Sequence, residues 1–281
     1  MRLAYFGTPE MAVPPLQALV AAGHDVALVV TRVDKRRGRG SELSPSPVKA
    51  AALELGLPVS HSVDDVLGRD IELGVVVAFG QLIKPHVLTE VPMVNMHFSL
   101  LPRWRGAAPV ERALLAGDTE TGVCLMRLEE GLDTGPIYDT VRLPIAATAT
   151  ADDLRRDLVA IGTDQLVRCL AAPLAQPVPQ QGEPLHAAKI RPEELRIDWS
   201  QPAEHINRLV RLGGAWTTFR EKRLKVLAVS SGESEDDAWE RSAEQPLPGL
   251  RLVTVQPEGK GPMPYADFAR GARPQNDEMF E

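Results

Sequence analysis

The chain has 281 residues, 44% hydrophobic and 25% charged, with a formal net charge of −7. This is ordinary globular usage for one large domain plus a small one, and no apolar run approaches the roughly 20 residues that span a bilayer. Two cysteines, Cys124 and Cys169, exclude a disulfide framework and a four-ligand zinc site, so both read as packing residues of a cytosolic protein. The negative charge opposes indiscriminate nucleic-acid binding, although a local basic patch still steers a polyanion.

Residues 3–6 (LAYF) read as a first strand that turns at Gly7-Thr8-Pro9, too short for a signal peptide. A helix over 9–22 stops at Gly23. The nearly wholly apolar run 26–31 is a second strand, and a helix over 48–55 stops at Gly56. Strands follow at 73–79 (with VVVAF), 94–98, 122–128 and 137–143. Apolar runs without alternation imply burial on both faces, hence helices on both sides of a largely parallel sheet. The expectation is an α/β, doubly wound domain. A helix over 151–170 closes it.

Residues 171–183 (AAPLAQPVPQQGE) hold three prolines and three glutamines, which reads as a surface linker or extended arm. A second unit starts at Asp198 with an amphipathic helix over 203–212. Strand-like pieces follow at 215–219, 224–229 and 250–255. Between them, residues 233–244 carry six acidic residues against one arginine and read as a solvated loop. The expected division is 1–186 for the large domain, 187–197 for the end of a linker, and 198–281 for the small domain.

The densest chemistry lies in NMHFSLLPRWRGAAP, residues 95–109. Side chains two apart on a strand point alike, so Asn95 and His97 share a face. Ligands of open parallel sheets bind outside the carboxyl ends of strands. An amide and an imidazole there suit acyl-type transfer, because both can donate to a developing oxyanion and the imidazole can manage a proton. In Gly131-Leu132-Asp133-Thr134-Gly135-Pro136, a carboxylate sits between glycines, and an Asp beside a His holds its orientation. From the residues alone, Asn95 and His97 also fit a satisfied polar pair at a sheet edge, and Asp133 a turn former. Gly7-Thr8-Pro9 lacks the G-x-G-x-x-G dinucleotide fingerprint.

The run from Asn95 through GAAPVERALLAGDTETGV, followed by GLDTGP, resembles the 10-formyltetrahydrofolate-dependent formyltransferase family. The resemblance extends to LAYFGTP at 3–9, SPSPVK at 44–49, VVVAFGQLI, RIDW at 196–199, GAWTT at 214–218 and VQPEGK at 255–260. It implies a Rossmann-like formyltransferase domain with a small C-terminal OB-like β domain. It implies Asn95, His97 and Asp133 as the catalytic trio, and Ser99, Leu100, Leu101 and Pro102 as a folate-side loop. The implied chemistry is direct attack of an amine on the formyl carbon of 10-formyltetrahydrofolate, with no metal.

The likeness is nearest to the branch that formylates methionine on initiator tRNA, which makes initiator Met-tRNA and folate the expected partners of a cytoplasmic monomer. Residues 31–49 carry six basic and two acidic residues, and in that branch the matching loop meets the tRNA acceptor arm. Arg36, Arg37, Arg39 and Lys49 are therefore the expected tRNA contacts. Residues 208–225, with six basic side chains against Glu221, form a second candidate patch. Two departures stand out: Arg211-Leu212-Gly213-Gly214 replaces an Asn-Pro turn, and the acidic segment 233–244 stands where further barrel strands are expected, so the C-terminal domain looks shortened. A small amine, such as a nucleotide-linked amino sugar, is the alternative acceptor. A non-catalytic folate- or RNA-binding paralogue is the third reading.

Overall fold

The computed structural model describes residues 1–36, 43–231, 250–274 and 280, with backbone alone at Arg36 and Ser231. In chain order the elements are β1 (Arg2–Gly7), α1 (Val13–Ala21), β2 (Asp25–Val30), β3 (Lys35–Arg36), β4 (Leu43–Ser44), α2 (Pro47–Glu54), β5 (Val59–Ser60), β6 (Leu73–Val77), α3 (Pro85–Glu90), β7 (Met93–His97), β8 (Arg105–Gly106) and α4 (Pro109–Ala116). There follow β9 (Glu120–Arg127), β10 (Ile137–Pro144), α5 (Ala151–Leu170), β11 (His186–Ala187), α6 (Ala203–Arg211), β12 (Trp216–Phe219), β13 (Lys222–Ser231), β14 (Leu250–Pro257), β15 (Met263–Pro264) and α7 (Tyr265–Ala272). These form two compact units: Met1–Val110 with Glu120–Pro144 and Leu154–Ala188, and Glu111–Thr119 with Ile145–Asp153 and Lys189–Glu281.

The first unit is built on a seven-stranded sheet in the order β10-β9-β7-β6-β1-β2-β5. The strands from β7 to β5 are parallel, while β9 runs antiparallel to β7 and β10 antiparallel to β9. The central strands β1, β2 and β6 are apolar over their inner positions because both faces are covered, whereas β7 ends in the polar Asn95 and His97. On one face Ala4, Phe6, Leu28, Val30, Val76 and Met93 pack with Val87 of α3 and with Val66. On the other, Tyr5 donates its hydroxyl to the Ala12 carbonyl, 2.6 Å away, and Gly162 of α5 lies against Met96 and Val123. Each large apolar side chain so buried contributes about 1.5–3 kcal/mol.

Local signals set the element ends. Ser46 caps α2 by accepting from the Lys49 N–H at 3.0 Å, Pro47 opens the helix, and Gly56 ends it in the left-handed region at φ +68. The strand expected at 137–143 is present, but as an antiparallel edge. Its outer half alternates intermediate and exposed residues, as one wetted face requires.

The second unit holds the four-stranded antiparallel sheet β12-β13-β14-β15. Ile206, Leu209 and Val210, the buried stripe of α6, face β13, and α7 packs on β14 and β15. The sequence reading contained neither β15 nor α7. Phe219, Tyr265, Phe268, Phe280 and Trp199 form one aromatic cluster with centroids 5.5–6.4 Å apart. The acidic stretch 233–244 lies outside the described residues.

Candidate active site

β7 ends at His97, and its register fixes what lies beside the two polar residues. Val76 pairs with Asn95, and across β9 Asn95 faces Met126 and His97 faces Cys124. Asn95 and His97 therefore share the Phe6 and Met93 face of the sheet. Beyond the end of β7 the segment 98–108 folds over that face beside His97, where Leu101 packs on Cys124 and Met126.

The connection from β9 to β10 supplies the third group. Its carboxylate does not leave from the end of β7. The connection starts beside Met93, where the Leu128 N–H donates to the Met93 carbonyl at 2.8 Å, and folds back across the face. Asp133 Oδ2 then lies 3.6 Å from His97 Nδ1, and Asp133 Oδ1 takes a long 3.4 Å contact from the Asn95 amide. The backbone N–H of Gly106 donates to Oδ2 at 2.9 Å. His97 and Asp133 are 5% and 8% exposed, so this pair is almost fully withdrawn from water. The structure thus brings Asn95, His97 and Asp133 together.

The imidazole has two distinct sides. Nε2 lies 2.9 Å from the Trp104 carbonyl, and since a carbonyl only accepts, Nε2 carries a proton. Nδ1 is left facing Asp133. Trp104 (φ +66) and Asp133 (φ +50) both hold left-handed backbone, which non-glycine residues adopt at a cost of about 1–3 kcal/mol each and which clusters at sites where the surroundings enforce it. Gly106, at φ +122, needs glycine for a second reason: a Cβ there would lie 2.9 Å from the Ala187 carbonyl oxygen. Burial pushes the Cys124 thiol upward despite its hydrogen bond with Thr140, so this cysteine beside His97 is a neutral packing group.

Of the expected folate-side loop, Ser99 is fully buried and donates to the Arg103 carbonyl at 2.6 Å, closing the turn, and Leu101 packs with Cys124 and Met126. Leu100 and Pro102 are half-buried, and the Leu101–Pro102 bond is cis. Of the expected tRNA contacts, Arg36 lies in β3, which pairs with β4 as the base of the basic loop, while Arg37 and Arg39 lie outside the described residues. The Lys49 ammonium is 2.7 Å from Asp34 Oδ2. The basic residues of 208–225 divide: Arg211 donates to the Ala149 carbonyl, whereas Arg223 sits 4.2 Å from the Trp216 ring centroid, on the sheet. Among the described residues no three His, Cys, Asp or Glu side chains group as metal ligands, and no helix is long and apolar enough to cross a membrane.

Sequence reasoning passed over Gln180, whose amide reaches the Asp133 and Gly135 carbonyls and accepts from Arg105. It also gave no role to Arg105, or to the backbone of Trp104 and Gly106. Those three stood in the segment singled out for chemistry. Gln180 offered only a polar side chain among prolines.

Residues 1–170 match the Formyl transferase family and residues 189–273 match the family described as Formyl transferase, C-terminal domain. The chain is 40% identical over 304 residues to a methionyl-tRNA formyltransferase of Roseobacter denitrificans, covering 100% of this chain and 99% of that protein. The fold is similar to that of a sugar 3N-formyl transferase, WlaRD, at TM-score 0.67 and 20% identity, over 83% of this chain and 87% of that one. It is also similar to the methionyl-tRNA formyltransferase of Clostridium thermocellum, at TM-score 0.62 and 15% identity, over 93% of this chain and 100% of that one. With this agreement across both units, the chain belongs to the formyl transferase family.

Proposed function

We propose that the protein transfers the formyl group of 10-formyltetrahydrofolate to the amino group of methionine on initiator tRNA, as a cytoplasmic monomer with a catalytic domain over 1–186 and a tRNA-contacting domain over 198–281. The observation that carries this reading is the meeting of Asn95, His97 and Asp133 in a chain that aligns end to end, at 40% identity, with a protein named methionyl-tRNA formyltransferase.

The amine attacks the formyl carbon, and the carbonyl π electrons move onto oxygen. An amide NH₂ has two donors. One Asn95 hydrogen points to Asp133, and the other serves the tetrahedral oxygen. His97 Nε2–H is committed to Trp104, so Nδ1 is the working nitrogen, and when the ring carries both protons Nδ1–H donates to the same oxygen. The Asp133 carboxylate, next to Nδ1, takes up the proton that the attacking amine loses and returns it to the departing folate nitrogen as the C–N bond breaks. Atoms and charge then balance without a metal. Ser99, Leu100, Leu101 and Pro102 shape the folate side. Arg36, Arg37 and Arg39 meet tRNA phosphates, and Lys49 pairs with Asp34.

The test is an assay of formyl-methionine formed from 10-formyltetrahydrofolate and Met-charged initiator tRNA at low and moderate salt. Formylation that falls steeply with salt supports the reading, since released counterions carry phosphate binding. No product on tRNA, together with salt-insensitive formylation of a nucleotide-linked amino sugar, would overturn it.

A further inference from the structure

The Pro-rich span 171–183 has the composition of a linker, yet its second half is laid along both working loops. Val178 exchanges backbone hydrogen bonds with Ile137 in both directions, each 2.8 Å. This anchors the span just past the Gly135-Pro136 turn. Farther along, the Arg105 N–H donates to the Leu185 carbonyl at 2.8 Å, and those of Ala107 and Ala108 to the Ala187 carbonyl at 2.9 and 3.1 Å. Between these two anchors stands Gln180.

Its amide is fully used. Nε2 donates to the Asp133 and Gly135 carbonyls, 2.8 Å each, and Oε1 accepts from Arg105 Nη2 at 2.7 Å and Nε at 3.1 Å. The first pair of bonds grips the peptide carbonyls around Asp133, whose left-handed backbone at φ +50 needs external support. The second pair grips the residue between Trp104, whose carbonyl orients His97, and Gly106, whose N–H orients the Asp133 carboxylate. One side chain therefore ties together the two loops that aim the acid–base pair. A long, flexible glutamine gives up its rotamer freedom to do so.

We propose that Gln180 is a positioning residue for formyl transfer, acting through Asp133 on one side and through Arg105 and the Trp104 carbonyl on the other. It touches no reacting atom. The assignment rests on the reading of His97 and Asp133 as catalytic.

Full-length wild type, Gln180→Leu, Gln180→Glu and Arg105→Met are compared in steady-state formylation of Met-charged initiator tRNA, with thermal melting to count folded protein. In parallel, the ¹⁵N shifts of the His97 ring report which nitrogen holds the proton. Gln180→Leu is expected to lower kcat on the order of 10–100-fold, with KM for both substrates within about twofold, because loss of alignment by ~1 Å acts on the chemical step. Its His97 signature changes from a single Nε2–H form to a mixture. Gln180→Glu keeps Arg105 paired but sets an anionic oxygen against two carbonyls, so kcat falls as far while the Nε2–H signature persists. Arg105→Met loses the signature. Gln180→Leu with wild-type kcat and an unchanged His97 signature overturns the proposal. So does a fall in rate that tracks the folded fraction alone. A wild type that formylates no acceptor overturns the functional reading instead, and the ring signature still decides whether Gln180 positions His97.

Discussion

His97 Nε2 donates to the Trp104 carbonyl across 2.9 Å, so the ring is locked by backbone on the side away from Asp133. A backbone acceptor cannot be removed by changing the Trp104 side chain. The tautomer is therefore set by the path of the chain between Ser99 and Gly106, and side chains reach it only by holding that backbone in place. What remains exposed to chemistry is the Nδ1 edge, where Asn95 and Asp133 converge.

Removing either donor on that edge should act on the chemical step. Asn95→Ala is expected to lower kcat on the order of 10²–10³-fold, the usual effect of deleting one oxyanion donor. His97→Ala is expected to abolish transfer to any acceptor while 10-formyltetrahydrofolate still binds. Single-turnover formylation alongside a folate-binding titration measures both. Normal turnover in His97→Ala would remove this histidine from the mechanism.

Gly106→Ala is expected to damage stability and activity together. The residue sits at φ +122, and the added methyl would approach the Ala187 carbonyl oxygen to 2.9 Å. Forcing an L-residue into such backbone costs about 1–3 kcal/mol. Any relief by moving the peptide also withdraws the N–H that holds Asp133 Oδ2. Urea unfolding should show the stability loss, and kcat should fall further than the folded fraction explains. An alanine variant with unchanged unfolding and unchanged kcat would mean that the loop tolerates the shift.

The sequence displayed what depends on composition along one element. LAYF, VALVV and VVVAF are apolar throughout; the first two are found within central strands, and the third within β6 up to Val77, with Ala78 and Phe79 turning out of the strand. The helix read over 151–170 is found with those bounds. Asn95 and His97 were legible as a pair because a strand has period two. Contacts made by folding back were not legible. Asp133 reaches Asn95 only because the β9–β10 connection doubles over the sheet, and nothing in GLDTGP states that direction. In 171–183 the prolines announce that no helix forms, but not that Gln180 ends between two loops. The register of Tyr265 and Phe268, three apart, was a helix signal for α7 that went unused, since Phe219, the ring that Phe268 packs against, lies far off in sequence.

Lys49 offers a clean separation between a phosphate contact and a brace. Its ammonium is 2.7 Å from Asp34 Oδ2, and among the described residues Asp34 Oδ1 has no hydrogen-bond partner despite its burial. Lys49→Met leaves that carboxylate with less compensation, and a loss of about 1–3 kcal/mol is expected in denaturant unfolding. Asp34→Asn in the same background should recover part of it, since a neutral amide is cheaper to leave there. If Lys49→Met instead keeps full stability and raises only KM for tRNA, the lysine serves the nucleic acid directly.

Part of the pH dependence of the second unit can be assigned to Glu194. The hydrogen bond from Arg112, at 2.9 Å, and then the backbone N–H of Arg191, at 3.0 Å, hold Glu194 down to about 2 from an ordinary 4.5. A depressed folded-state value favours the ionised form, so this group adds stability above its unfolded value and loses it as pH falls through the folded one. The window is therefore from about 4.5 down to about 2. The carboxylate side chain is 26% exposed, so salt screens part of the effect. Glu194→Gln should melt below wild type at neutral pH, and the gap should close across that window and narrow in high salt. A gap that stays constant from neutral pH to the bottom of the window would show that the Arg112 pair contributes through shape and packing, with no part played by the charge.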